Sequence, residues 1–214
     1  MTLPAYKNPR RPIAERVDDL LGRMTDEEKV GQILQIAGQH PDILRRVEEW
    51  HLGSVLSILG PDTVAAQQTA LRSRLGIPLL FGIDAIHGHS MEFGATIFPS
   101  ALALACSWDE KLIERTARLT AREMQYTGVH WTFNPVFCLP RDLRWGRVNE
   151  TFGEDPLLIG RFGVAMVRGY QGRDLAARDA IAACAKHFAG YGDTLGGRDA
   201  SEACLLYTSP SPRD

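Results

Sequence analysis

The sequence lacks most of what would place it in a specialised class. No apolar run approaches the ~18 residues needed to cross a bilayer. The opening MTLPAYKNPRRPIAERV carries basic residues but no apolar signal-peptide core. Charge of one sign is not in excess: 24 Lys+Arg stand against 26 Asp+Glu, for a net charge of -2. That balance argues against nucleic acid or an anionic membrane as the main partner. Cysteine is sparse, and Cys106, Cys138, Cys184 and Cys204 show neither CxxC nor metal-ligand spacing. Most sit in apolar runs and read as reduced core residues, which fits a cytoplasmic location. No GxGxxG or Walker pattern follows the first predicted strand, which removes the usual signals of nucleotide binding.

What is present is ordinary globular composition over 214 residues, 44% hydrophobic and 23% charged. That suffices for one sizeable core or most of a larger domain. Apolar positions Ile13, Val17, Leu20, Leu21 and Met24 recur at helical spacing. Thr25 with Glu28 forms a capping box for a second helix, expected to carry Val30, Ile33 and Leu34 inward. Further helices are predicted over residues 41–50, 62–75 and 156–171, and one opened by a second capping box, Ser107 to Glu110, and ending near Tyr126. Short apolar strands are predicted over 54–59, 78–83, 129–136 and 180–185.

Strands alternating with helices imply parallel strands covered on their outer face, in a (β/α) barrel or an open doubly wound sheet. The polar residues favour the barrel. Asp84, Arg147 and the pair Lys186-His187 each lie at or after the carboxyl end of a different strand, and a barrel converges those ends on one face. Asp84 can accept hydrogen bonds from neighbouring hydroxyls of a sugar or cap its own loop. Arg147 offers a planar fork of donors, with Glu150, Glu154 and Asp155 as nearby structural partners. Lys186 follows an apolar run, where a lysine needs a purpose such as donation to hydroxyls or a Schiff base of the aldolase type. His87 and His89 are spaced for a metal, but no third ligand completes a set, so no metal is expected.

Three stretches in order, GIDAIHGHS (82–90), RDLRWGRVNETFGEDP (141–156) and CAKHFAGYGDTLGGRD (184–199), resemble the consecutive signatures of glycoside hydrolase family 3. The likeness covers roughly residues 17–203 and is nearest to bacterial β-glucosidases and exo-glucanases. It implies an α/β fold, the N-terminal portion of an incomplete (β/α)8 TIM-type barrel, and a retaining glycosidase that removes terminal β-linked sugars through a covalent intermediate. Glucose is the expected sugar, with β-xylosidase or exo-glucanase activity as the alternative within the family. A Schiff-base aldolase or lyase barrel using Lys186 is the alternative from another class. No cofactor is implied, and the expected partner is a β-linked oligosaccharide or glucoside.

The resemblance assigns the gripping of the terminal sugar's hydroxyls to Asp84, Arg147, Lys186 and His187. It also implies cis peptides at Asn134–Pro135, Lys186–His187 and Phe188–Ala189. Leu143 stands where the family usually has proline. Ala189 and Tyr191 stand where the N-acetylglucosaminidase branch has Pro and His, which disfavours that branch. Retaining hydrolysis needs a carboxyl pair ~5–5.5 Å apart. The family's nucleophile Asp, in an SDW-like motif, and its acid/base Glu have no counterpart in these residues, so the chain by itself is expected to be inactive. The last stretch, CLLYTSPSPRD (204–214), resembles an in-frame translation of a transposase-type sequencing adaptor. It is therefore expected to be foreign, with the native chain continuing past Ala203.

Overall fold

The computed structural model describes residues 3–203; the adaptor-like stretch 204–214 lies outside the described residues. The chain divides between Phe81 and Gly82 into two compact units.

In the first unit, α1 (Ile13–Arg23) and α2 (Asp26–Gln32) are separated by the Thr25 cap. Thr25 accepts from the Glu28 amide while the Glu28 carboxylate accepts from the Thr25 amide, so the capping box forms as expected. Strand β1 (Gln35–Ala37) runs parallel to β2 (Ser54–Leu56), with α3 (Ile43–Glu49) between them and α4 (Pro61–Leu71) after them. Val47, Leu52, Val55, Ile58, Ala66, Ala70, Leu79 and Phe81 pack together as one core.

Two expectations fail here. Strand β1 was not anticipated, because three residues are too few to show an alternating pattern. The inward placement of Val30, Ile33 and Leu34 is also wrong: all three are exposed, Ile33 at 83%. The buried face of α2 is that of Glu28 and Gly31 instead. Glu28 is drawn in by a two-pronged pairing with the Arg74 guanidinium, and Gly31 lies against the Trp50 and His51 carbonyls, where no side chain fits.

Strand β3 (Leu80–Ile83) continues into the second unit, where Gly82 and Ile83 pair in parallel with Trp131 and Thr132 of β4 (Trp131–Thr132). The predicted strand over 129–136 is regular only across β4, since Pro135 offers no amide to continue the ladder. Residues 180–185 form no continuous strand. Their parallel pairing survives as bridges Trp131↔Ala182 and Val136↔Lys186. A short α5 (Ala101–Ala105) precedes α6 (Glu110–Tyr126), and its presence displaces the second capping box. Ser107 donates to the Leu104 carbonyl at the end of α5, and Asp109 is the residue that caps α6, accepting from the Lys111 and Leu112 amides. Helix α7 (Pro156–Gln171) begins at Pro156 as predicted, capped by Asp155. No helix among the described residues is long and apolar enough to cross a membrane.

Helices α6 and α7 pack through Gly169, where a Cβ would overlap the Glu114 carbonyl oxygen and Ala117. Gly160 lies on the exposed side of the same helix with open space around it. Gly169→Ala is therefore expected to destabilise the protein by about 1–3 kcal/mol, and Gly160→Ala to stabilise it by about 0.5–1 kcal/mol. Urea denaturation of the two variants checks this; equal effects would contradict the close approach.

Arg74 holds Glu28 below its ordinary value of 4.5, against the opposing effect of burial. A carboxylate depressed in this way contributes stability above its unfolded pKa and loses it as pH falls through the folded one. The urea midpoint should thus fall more steeply below pH 4.5 in the wild type than in Glu28→Gln.

Candidate functional site

The second unit brings the ends of its parallel segments together. Asp84 follows β3 directly, and Lys186 is bridged to Val136. Arg147 opens a 3-10 turn, Val148–Glu150, in the loop beyond β4. Below them, Asn134 donates to the Tyr170 hydroxyl at 2.7 Å and Tyr170 donates to the Ala85 carbonyl at 3.3 Å, so α7 is tied to both strand ends. Asn134–Pro135, Lys186–His187 and Phe188–Ala189 are cis, as the resemblance implies.

Of the four candidate residues, Asp84 and Lys186 are in direct contact. The Lys186 ammonium donates to Asp84 Oδ1 at 2.6 Å, with the lysine side chain mostly covered and the aspartate half-exposed. Arg147 does not touch that pair. Its guanidinium grips Glu150 with two bonds, Nε to Oε1 at 2.8 Å and Nη2 to Oε2 at 2.7 Å, while Nη1 donates to the Tyr191 hydroxyl at 3.2 Å. The Glu150 carboxylate raises Arg147 above its ordinary value despite partial burial.

His187 joins this group through Tyr191, whose ring meets the imidazole edge-to-face at 4.5 Å. The same ring lies 5.3 Å from the Arg147 guanidinium carbon. Burial first, then the charges of Arg147 and Lys186, push His187 below its ordinary value, so it is neutral around neutral pH. Tyr191 in turn donates to Asp199 Oδ1, which also accepts from the Trp145 indole at 3.2 Å. These two bonds hold Asp199 below the usual carboxylate range. The loop carrying Asp199 lies so near the Arg144 and Trp145 backbone that only glycine fits at 197, where φ is +68°.

A cleft of about 370 Å³ opens beside the site, lined by Cys138, Arg141, Lys186, His187, Tyr191 and Asp193 among others. Asp84 and Arg147 do not line it.

Of the partners expected for Arg147, Glu150 is the one that pairs with it, through two bonds. Other contributors escape a reading of the sequence. Asp199 closes the third motif stretch without any local signal that Tyr191 and Trp145 both reach it. Cys138, read as core, is indeed buried, yet its sulfur lies 3.4 Å from His187 Nδ1. Of the other charges of residues 141–156, Glu154 is exposed and does not pair with Arg147, and the rest divide three ways. Asp142 pairs with Arg144, Arg141 reaches Asp193 at 3.5 Å, and Asp155 caps α7. His89 is fully buried and bonded to Thr127 at 2.8 Å. Thr127 already donates to the Met124 carbonyl, so it accepts here. No metal-holding group of His, Cys, Asp or Glu occurs among the described residues.

Removing the Glu150 carboxylate leaves a largely covered guanidinium without its counterion. Glu150→Ala is expected to lower stability by about 1–3 kcal/mol, with Glu150→Gln recovering part of the loss. Denaturant titration of both variants tests this, and an unchanged midpoint for Glu150→Ala would count against it.

Comparison with known proteins gives this geometry its setting. Residues 25–204 match the glycosyl hydrolase family 3 N terminal domain. A periplasmic beta-glucosidase from Salmonella typhimurium is 35% identical over 190 residues, 86% of this chain and 24% of its own length. Among solved structures, a beta-glucosidase involved in saponin metabolism from intestinal bacteria is 53% identical with a TM-score of 0.79, over 90% of this chain and 25% of that one. The beta-glucosidase from Listeria innocua, solved in complex with glucose, is 38% identical with a TM-score of 0.75, over 86% and 28%. The chain spans about a quarter of the length of these relatives. Parallel strands, intervening helices and these likenesses together make the fold α/β, of the TIM-like barrel type, in part. The chain belongs to glycosyl hydrolase family 3, to the N-terminal domain of that family of glycosidases.

Proposed function

We propose that Asp84, Arg147, Lys186 and His187 grip the hydroxyls of a terminal β-linked sugar, glucose first among them. The observation that carries this reading is the close ion pair between Lys186 and Asp84, an acceptor and a donor side by side and open to solvent on the aspartate side. A vicinal diol presents the same pattern, each hydroxyl able to donate to a carboxylate oxygen and accept from an ammonium. Arg147 and His187 supply further donors a short distance away, held by Glu150 and Tyr191.

In the whole protein this grip would serve retaining hydrolysis of β-glucosides, the sugar passing through a covalent glycosyl-enzyme. The nucleophile and the acid/base would come from residues outside those described. Among the described residues, each carboxylate at the site is already engaged: Asp84 by Lys186, Glu150 by Arg147, and Asp199 by Tyr191 and Trp145. The chain on its own would therefore bind sugar without cleaving it. A Schiff-base role for Lys186 draws no support from this geometry, because an ammonium donating to Asp84 has no free lone pair with which to attack a carbonyl.

The test is a titration of the chain with D-glucose and with D-xylose, followed by calorimetry or NMR. Glucose should bind, and Asp84→Ala and Arg147→Ala should each weaken it by about ten- to a hundredfold, the worth of hydrogen bonds to charged groups. A preference for xylose would move the reading to a β-xylosidase. Nitrophenyl β-glucoside should show no turnover; hydrolysis abolished by Asp84→Asn would overturn the division of roles.

A further inference from the structure

We infer that Cys138 is a positioning residue that fixes His187 in the tautomer protonated on Nε2, so that the imidazole meets its ligand as a hydrogen-bond donor. The geometry starts with the 3.4 Å approach of the Cys138 sulfur to His187 Nδ1. Cys138 is 5% exposed and packs with Val136 and Trp145, on the covered side of the cleft that His187 also lines. The other groups against the imidazole leave Nδ1 to the thiol. Tyr191 meets the ring edge-to-face, and its hydroxyl is committed to Arg147 and Asp199.

Three proton arrangements could occupy a thiol–imidazole contact, and the surroundings choose among them. A thiolate–imidazolium pair needs both groups charged. Burial pushes the Cys138 thiol up, while burial and the nearby Arg147 and Lys186 charges push His187 down. Both shifts favour the neutral pair. Of the two neutral forms, one has Nδ1–H donating to sulfur and the other has S–H donating to Nδ1. Thiol S–H is a weak donor and thiol sulfur a weak acceptor, so the imidazole's own N–H decides: on Nδ1 it is spent on a weak acceptor, whereas on Nε2 it stays free for a stronger one while Nδ1 accepts from the thiol. The second form therefore prevails, and the ring proton resides on Nε2.

The consequence for the site is a matter of hydrogen-bond sign. Lys186 and Arg147 only donate, and ionised Asp84 only accepts. Histidine alone among the four candidates could do either, so its tautomer decides whether a third hydroxyl must accept or donate. With Cys138 in place it must accept. This step rests on the proposed sugar site for its ligand, but the tautomer itself belongs to the unliganded chain.

The experiment is long-range 1H–15N correlation NMR on the chain with 15N-labelled histidine. The His187 signals are identified by their loss in His187→Gln. The wild type should show protonated Nε2 and unprotonated Nδ1, a pattern kept in Cys138→Ser, which retains a donor, and replaced by mixed tautomers in Cys138→Val. D-glucose affinity should fall about tenfold in Cys138→Val, the worth of one misoriented hydrogen bond, and stay near wild type in Cys138→Ser. Protonated Nδ1 in the wild type overturns the inference, whatever the two Cys138 variants do. An unchanged pattern in Cys138→Val overturns it as well. If the tautomer follows Cys138 but glucose does not bind, the inference stands and the sugar reading fails. If glucose binds while Nδ1 carries the proton, the sugar reading stands and the inference falls.

Discussion

The Tyr170 hydroxyl is buried where α7 crosses beneath the ends of β3 and β4, and it can be tolerated there only because both sides of it are bonded. It accepts from Asn134 and donates to the Ala85 carbonyl, one residue past Asp84. Burial lifts Tyr170 far above its ordinary value, so the hydroxyl stays neutral and keeps donating. One side chain thus clamps the backbone on which Asp84 stands to the segment that leads into Arg147. The Lys186–Asp84 ion pair spans the same two segments, since Lys186 is bridged to Val136, two residues past Asn134.

Above that clamp the candidate site is organised as a chain of mutually bonded polar side chains. Arg147 is held by Glu150 on one edge and Tyr191 on the other. Tyr191 is in turn held by Asp199, which the Trp145 indole steadies. Trp145 is itself buried against Val136 and Cys138, so the polar chain is anchored in a small apolar cluster rather than in solvent. A side chain with this many fixed neighbours loses little rotamer freedom on binding.

Much of this was legible in the sequence, though unevenly. Apolar positions located α7 to the residue, over 156–171, whereas Asp155, expected as a partner of Arg147, proves to be its cap. The Thr25–Glu28 box was legible because cap chemistry is local. Placement of Asp84, Arg147 and Lys186 at segment ends followed from strand–helix alternation and from the three motif stretches. What local pattern could not carry was everything decided by distant contacts. The inward face of α2 was misjudged because Arg74, 46 residues away, draws Glu28 under cover. Ser107 was misjudged because the short α5 claims its hydroxyl first. The Cys138–His187 contact joins residues 49 apart, and nothing near either one announces the other.

If the proposed sugar site is right, the pairing of charges would also set what it can tell apart. Lys186 and Arg147 each carry a carboxylate counterion, Asp84 and Glu150, and Asp199 adds a further negative charge close by. Both of these cations are therefore already neutralised. A phosphorylated sugar or a uronic acid would find Lys186 and Arg147 already paired and would face Asp84 and Asp199. An uncharged polyol needs no counterion and can share the donors and acceptors already in place. On the proposed reading, the same contacts that hold the fold's polar groups in order would act as a filter on ligand charge.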